Sequence, residues 1–204
     1  MATDRSVAPL VAVGVAWGTL AGLAAAAGLV VRPAGEPPLR IGLAAGAPVL
    51  LVLGLLAVPR FRAWVRRLDP QPLVTMQGWR VAGFAFLVLY AQGLLPGGFA
   101  WAAGLGDLAI GLTAPFVARH LARRGAAAWP VFLAWTVAGI ADFVLAVGLG
   151  MAHSLTVVPP SGAAPMAELP LSLVPTFAVP FLLVVHVLAL VRVRELRSAA
   201  TRPG

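Results

Sequence analysis

Six stretches of the chain are almost wholly apolar, at positions 7–31, 41–58, 73–95, 99–117, 129–151 and 169–191, and the polar residues gather between them. A helix needs about 20 mostly apolar residues to cross a bilayer. The pattern therefore predicts an all-α fold, an integral membrane bundle of six transmembrane helices forming a single domain over residues 1–204. Helix-breaking residues punctuate the stretches. Arg32-Pro33 and Pro37-Pro38 follow the first, and Pro59, Pro70 and Pro72 bracket the second connection. Pro96-Gly97-Gly98 predicts a tight hairpin, whereas Pro159, Pro160, Ser161, Gly162 and Pro165 predict an irregular fifth connection.

The second connection, residues 59–68, alternates Arg60, Arg62, Arg66 and Arg67 with Phe61, Trp64 and Leu68. Bulky apolar residues mixed with arginine suit a short helix lying in the cytoplasmic membrane interface. Arginine also orients the bundle, because short basic connections stay in the cytoplasm. Twelve arginines fall before the first span, in the second and fourth connections and in the tail, against Arg32 and Arg40 in the first. Both termini are expected inside, which requires an even number of spans.

Composition agrees with hydrocarbon as the surrounding solvent. The chain is 60% hydrophobic and only 11% charged, with a mean hydropathy of +0.94, where a soluble domain carries roughly a quarter charged residues. The net charge of +8 comes from fifteen arginines placed by topology, so no nucleic-acid partner is expected. Heavy use of Ala, Gly, Pro and Arg fits a GC-rich bacterial genome, and the expected location is the inner (plasma) membrane. The first apolar run exceeds the ~7–15 residues of a signal-peptide core, so it is expected to remain as a span. Without cysteine there is no disulfide and no thiolate chemistry.

Polar residues inside the spans carry the functional question, since an ionisable group at the bilayer centre costs about 2.5–3.5 kcal/mol on insertion scales. Four stand out, Arg80, Asp107, Asp142 and His186, and Gln77, Tyr90 and Gln92 join them in the third span. At about 1.5 Å rise per residue, Asp107 and Asp142 lie at one depth, roughly 12–14 Å from the outer surface. Arg80 and His186 share a deeper level. The two acids sit in an inverted echo, Ala103-Gly104-Leu105-Gly106-Asp107 and Ala138-Gly139-Ile140-Ala141-Asp142, with small residues that leave room for a neighbour.

Two carboxylates facing each other need a cation or a shared proton. They form a proton or cation site, or else Arg80 neutralises one Asp while the other is protonated or bonded to Tyr90 or Gln92. His186 follows Pro175 and Pro180, which free backbone carbonyls. It is a proton relay, a hydrogen-bonded core residue or a haem ligand; haem usually wants a second His, and His120 and His153 sit near opposite surfaces. No catalytic residue, metal or cofactor is assigned. Gly14, Gly18 and Gly22 in the first span, with Gly42 and Gly46 in the second, let helices approach closely. That serves internal packing, a homodimer or another membrane partner.

Gln77-Gly78-Trp79-Arg80-Val81-Ala82-Gly83, Gly93-Leu94-Leu95-Pro96-Gly97, Gly104-Leu105-Gly106-Asp107 and Pro175-Thr176-Phe177-Ala178-Val179-Pro180 with His186 resemble small, very hydrophobic, uncharacterised bacterial multi-pass inner-membrane proteins. The resemblance covers spans three to six and brings no substrate or reaction with it. Three functions stay open: a small transporter or ion- or proton-coupled protein using the Asp/Arg/His cluster, a non-catalytic assembly or partner subunit, and a haem protein or membrane enzyme using His186.

Overall fold

The computed structural model describes residues 7–30, 39–156 and 165–200, and among these the fold is all-α with no strand. Helices α1 (Ala8–Ala26) and α2 (Leu39–Leu55) come first. The chain then bends by 100° into the short α3 (Pro59–Val65). Pro59 at the first helical position suits this start, because its missing N–H has no partner there anyway. The short helix expected between spans two and three is thus present.

A second broken helix follows. Asp69 caps α4 (Pro70–Met76) by accepting a hydrogen bond from the Gln71 amide at 3.0 Å. The chain tightens into a 3-10 turn over Gln77–Gly83 and resumes as α5 (Phe84–Ala91). Gly93, at φ 72°, turns the chain toward α6 (Gly97–Arg124), which realises the hairpin expected at Pro96-Gly97-Gly98. Gly125 ends α6 at φ 54°, a conformation that favours glycine. After the 3-10 turn Gly125–Ala128 comes α7 (Trp129–Thr156). A π turn (Val174–Ala178) leads into α8 (Val179–Ala200).

The helix ends differ from the sequence expectation: α1 and α5 stop short of positions 31 and 95, and the arginine-bearing ends run on. Arg119, Arg123 and Arg124, expected in a loop, ride on the last turns of α6, and Arg192, Arg194 and Arg197 ride on α8. Ala, Leu and Arg are strong helix formers, and α6 runs through Pro115 to end only at Gly125. The sixth element begins later than position 169, because Leu169–Ser172 form turns before the π segment.

Four helical runs are long and apolar enough to cross a membrane: Ala8–Ala26, Pro70–Ala91, Gly97–His153 and Val174–Ala200. The bent pair of α2 and α3 makes a fifth. The third run has 57 residues, about 86 Å if straight, but it doubles back at Gly125. Thr113 meets Trp135, Gly106 meets Asp142 and Gly98 meets His153, so α6 and α7 lie antiparallel.

Large apolar side chains lie on the surface while an arginine and a histidine are buried. Leu39, Phe116 and Trp79 are 71%, 67% and 77% exposed, while Arg80 and His186 are 2% and 1% exposed. Two apolar cores sit at opposite ends of the bundle. One joins Leu68, Leu73, Leu121, Phe132, Leu188 and Val193, and the other joins Phe86, Leu95, Phe99 and Ala103. The charged residues lie between them.

Candidate functional site

The 3-10 turn explains how an arginine comes to point inward. With three residues per turn, positions i, i+3 and i+6 stack on one face. Gln77, Arg80 and Gly83 are the buried residues of this segment, and Trp79 is left outside. The partner surface of α6 is cut away to admit it. A Cβ on Gly111 would stand 2.7 Å from the Val81 nitrogen, and one on Gly104 would stand 3.3 Å from the Gly83 carbonyl oxygen. Gly104, Asp107 and Gly111 share that face of α6 by their i, i+3, i+7 spacing.

Arg80 is gripped from both sides. Its Nε donates to Asp107 Oδ1 at 2.7 Å, and its NH2 group donates to Asp142 Oδ2. Its NH1 group donates to the Gly139 carbonyl at 3.1 Å and lies 3.4 Å from His186 Nε2. An arginine only donates, so Nε2 accepts and the proton of the neutral ring sits on Nδ1. The guanidinium carbon stands 3.8 Å from the centre of the Phe143 ring, a cation–π contact. Gly139, Asp142 and Phe143 reach one guanidinium because residues three and four apart share a helix face.

The four residues singled out by their depth form one cluster, and the levels inferred for Asp107 with Asp142 and for Arg80 with His186 meet in direct contact. Arg80 does not choose one acid; it holds both. With both acids ionised and His186 neutral, the cluster carries a net charge of −1. The Arg80 side chain is 1% exposed, against 15% for Asp107 and 11% for Asp142, so the surplus charge sits on the members nearest the outside.

Gln77 stands one turn below Arg80, where its Nε2 donates to the Leu182 carbonyl at 2.9 Å and its Oε1 is buried without a partner. Tyr90 and Gln92 do not join. Tyr90 is 41% exposed with its ring 6.0 Å from that of Trp101, and Gln92 caps the end of α5. The hydrogen bond weighed for them with an acid goes to the guanidinium instead. Phe143 and Trp135 are members that sequence reasoning passed over, whereas Gly139 is one of the small residues expected to leave room for a neighbour. The Trp135 ring lies 5.3 Å from that of His186, and its Nε1 donates to Thr113 at 2.9 Å. The two aromatics carry no charge that would mark them out within an apolar span. Only their spacing from Asp142 and His186 offered a signal.

The guanidinium occupies the Nε2 side of His186, the nitrogen a haem iron would need. Among the described residues, no group of three His, Asp or Glu side chains is arranged to hold a metal ion.

A cavity of about 390 Å³ leads to the cluster. Its wall includes Ile41 and Ala45 of α2, Leu94 to Pro96, Phe99 and Gly150, and Asp107 closes it on the cluster side. A family profile described as a domain of unknown function matches residues 37–194. The chain belongs to DUF8737. The part matched to DUF8737 begins just before α2 and contains Gln77, Arg80, Asp107, Asp142 and His186. No curated protein and no solved structure matches the chain.

Proposed function

We propose that the protein is a bacterial inner-membrane transporter that couples movement of its substrate to a proton or monovalent cation held by Asp107 and Asp142. In this reading α6 and α7 each cross the bilayer, so the five apolar runs become six spans, with both termini and the α3 helix on the arginine-rich cytoplasmic side. The bend before α3 supports that placement, because it lays Arg62 and Arg66 within 3.9 Å of Glu195 on α8. The observation that carries the reading is one arginine shared by two carboxylates, one of which also lines a cavity. Such a cluster is one positive charge short of neutral. A low-dielectric interior does not tolerate the deficit, so a proton or cation completes it. Arg80 holds the two acids in place and His186 fixes the guanidinium from behind.

The test is an imposed pH gradient across proteoliposomes, followed with an entrapped dye. The intact protein is expected to dissipate the gradient when Na⁺ or a member of a panel of small organic solutes is supplied to it, and Asp107→Asn and Asp142→Asn to stop that dissipation while eluting as folded, monodisperse protein. Equal decay in all three preparations overturns the reading.

A second reading, a subunit that assembles with another membrane protein, draws on α2. None of its 17 residues is buried, and a Cβ at Gly42 or Gly46 meets no atom within 4 Å.

A further inference from the structure

The cavity above Asp107 has a chemistry of its own. Among the described residues, Asp107 and His153 are the titratable ones of its wall, which also includes Phe86, Phe99, Phe143 and Met166. Nδ1 of His153, also in the wall, donates to the Leu149 carbonyl at 2.8 Å. Among the described residues no arginine lines the space, and Arg80 has its charge already engaged by two acids. A volume of about 390 Å³ falls within the range of roughly 300–1,000 Å³ typical of small-molecule sites. Aromatic faces beside one carboxylate select for a positive centre carried on an apolar body.

We propose that this cavity binds a lipophilic organic cation, its positive centre against Asp107 and its apolar groups against Phe86, Phe99 and Phe143, in competition with a proton. The proposal rests on the coupled-transport reading above and names the substrate class. Its balance is simple. The cluster with one proton is neutral; the cation enters, the proton leaves Asp107 or Asp142, and the cluster is neutral again. One charge moves each way and no bond other than O–H is made or broken. A lipophilic anion finds no partner, and a neutral molecule of the same shape cannot displace the proton.

The probe is tetraphenylphosphonium, with tetraphenylborate, an anion of the same shape, as control. Calorimetric titration of the purified full-length protein, in two buffers of different ionisation enthalpy, reads both affinity and protons released. Saturable binding of tetraphenylphosphonium with proton release is expected, and no binding of tetraphenylborate. Asp107→Asn is expected to weaken the cation by about tenfold or more and to abolish the proton release, while Asp107→Glu retains both. Ala146→Phe, which fills the cavity from the α7 wall, is expected to block the cation in protein that still elutes as a folded species. Equal binding of both probes, or unchanged binding in Ala146→Phe, overturns the proposal. Absence of tetraphenylphosphonium binding in a protein whose proton flux still depends on Asp107 overturns the substrate class and leaves the transport reading standing. Flux that ignores both acids removes the transport reading itself.

Discussion

Helix α2 and the 3-10 turn over Gln77–Gly83 divide the labour of this bundle in opposite ways. The first is a regular helix of apolar residues with no residue buried, although Pro48 lies within it. The second has the irregular winding, yet it buries Gln77, Arg80 and Gly83 against three other helices. In water the apolar helix would be the one to seek cover. Where lipid is the solvent, apolar surface has nothing to gain by hiding, and the charged residues are driven inward to one another. Specific structure therefore follows the rare polar residues and the glycines that make room for them.

Three substitutions sharpen that contrast. Arg80→Met leaves two carboxylates facing each other without their cation. Removing one partner of a buried ion pair costs about 3–5 kcal/mol, so a large fall in the thermal unfolding temperature in detergent is expected. An unchanged temperature would mean that the cluster contributes nothing to the fold. Gly106→Ala is the next test. A methyl group there overlaps the Asp142 carboxylate, and overpacking of this kind costs about 1–3 kcal/mol. The same measurement should show a smaller drop, partly relieved in Asp142→Ala. A Cβ at Gly42 or Gly46 meets no atom within 4 Å, and alanine is favoured over glycine inside a helix by about 0.8–1 kcal/mol, so Gly42→Ala and Gly46→Ala are expected to cost no stability. A loss comparable to that of Gly106→Ala would show that the glycine face of α2 is covered by a further partner.

The glycines illustrate how far sequence alone reaches. Gly14, Gly18 and Gly22 look equivalent at four-residue spacing. In the structure a Cβ on Gly14 would stand 2.8 Å from the Phe181 ring and one on Gly18 would stand 3.1 Å from Phe177, while Gly22 meets nothing. Spacing gives the face; what arrives on it depends on where α8 and the π turn before it dock. The level of the acids was legible because helical rise is constant, and that alone brought Asp107 and Asp142 together. The inverted echo around them also has a physical meaning, since Gly106 admits Asp142 and Gly139 admits both His186 and Arg80.

The tighter winding of the third apolar element was not legible. It depends on the closeness of α6 at Gly104 and Gly111, a contact between segments far apart along the chain. Helix ends were misjudged for a related reason. Arginine was read as a mark of loops, whereas it is also a good helix former, and α6 simply continues until Gly125.

The 3-10 winding fixes more than burial. A residue advances about 120° around the axis in this form and about 100° in an α-helix. Over the three residues from Gln77 to Arg80 that difference amounts to about 60° of azimuth and about 1.5 Å of height. An ordinary helix of the same sequence would carry the guanidinium sideways out of the seam and away from one of its two acids. The salt bridges are thus threaded like a screw: pitch, and not only composition, decides whether the positive charge sits on its seat.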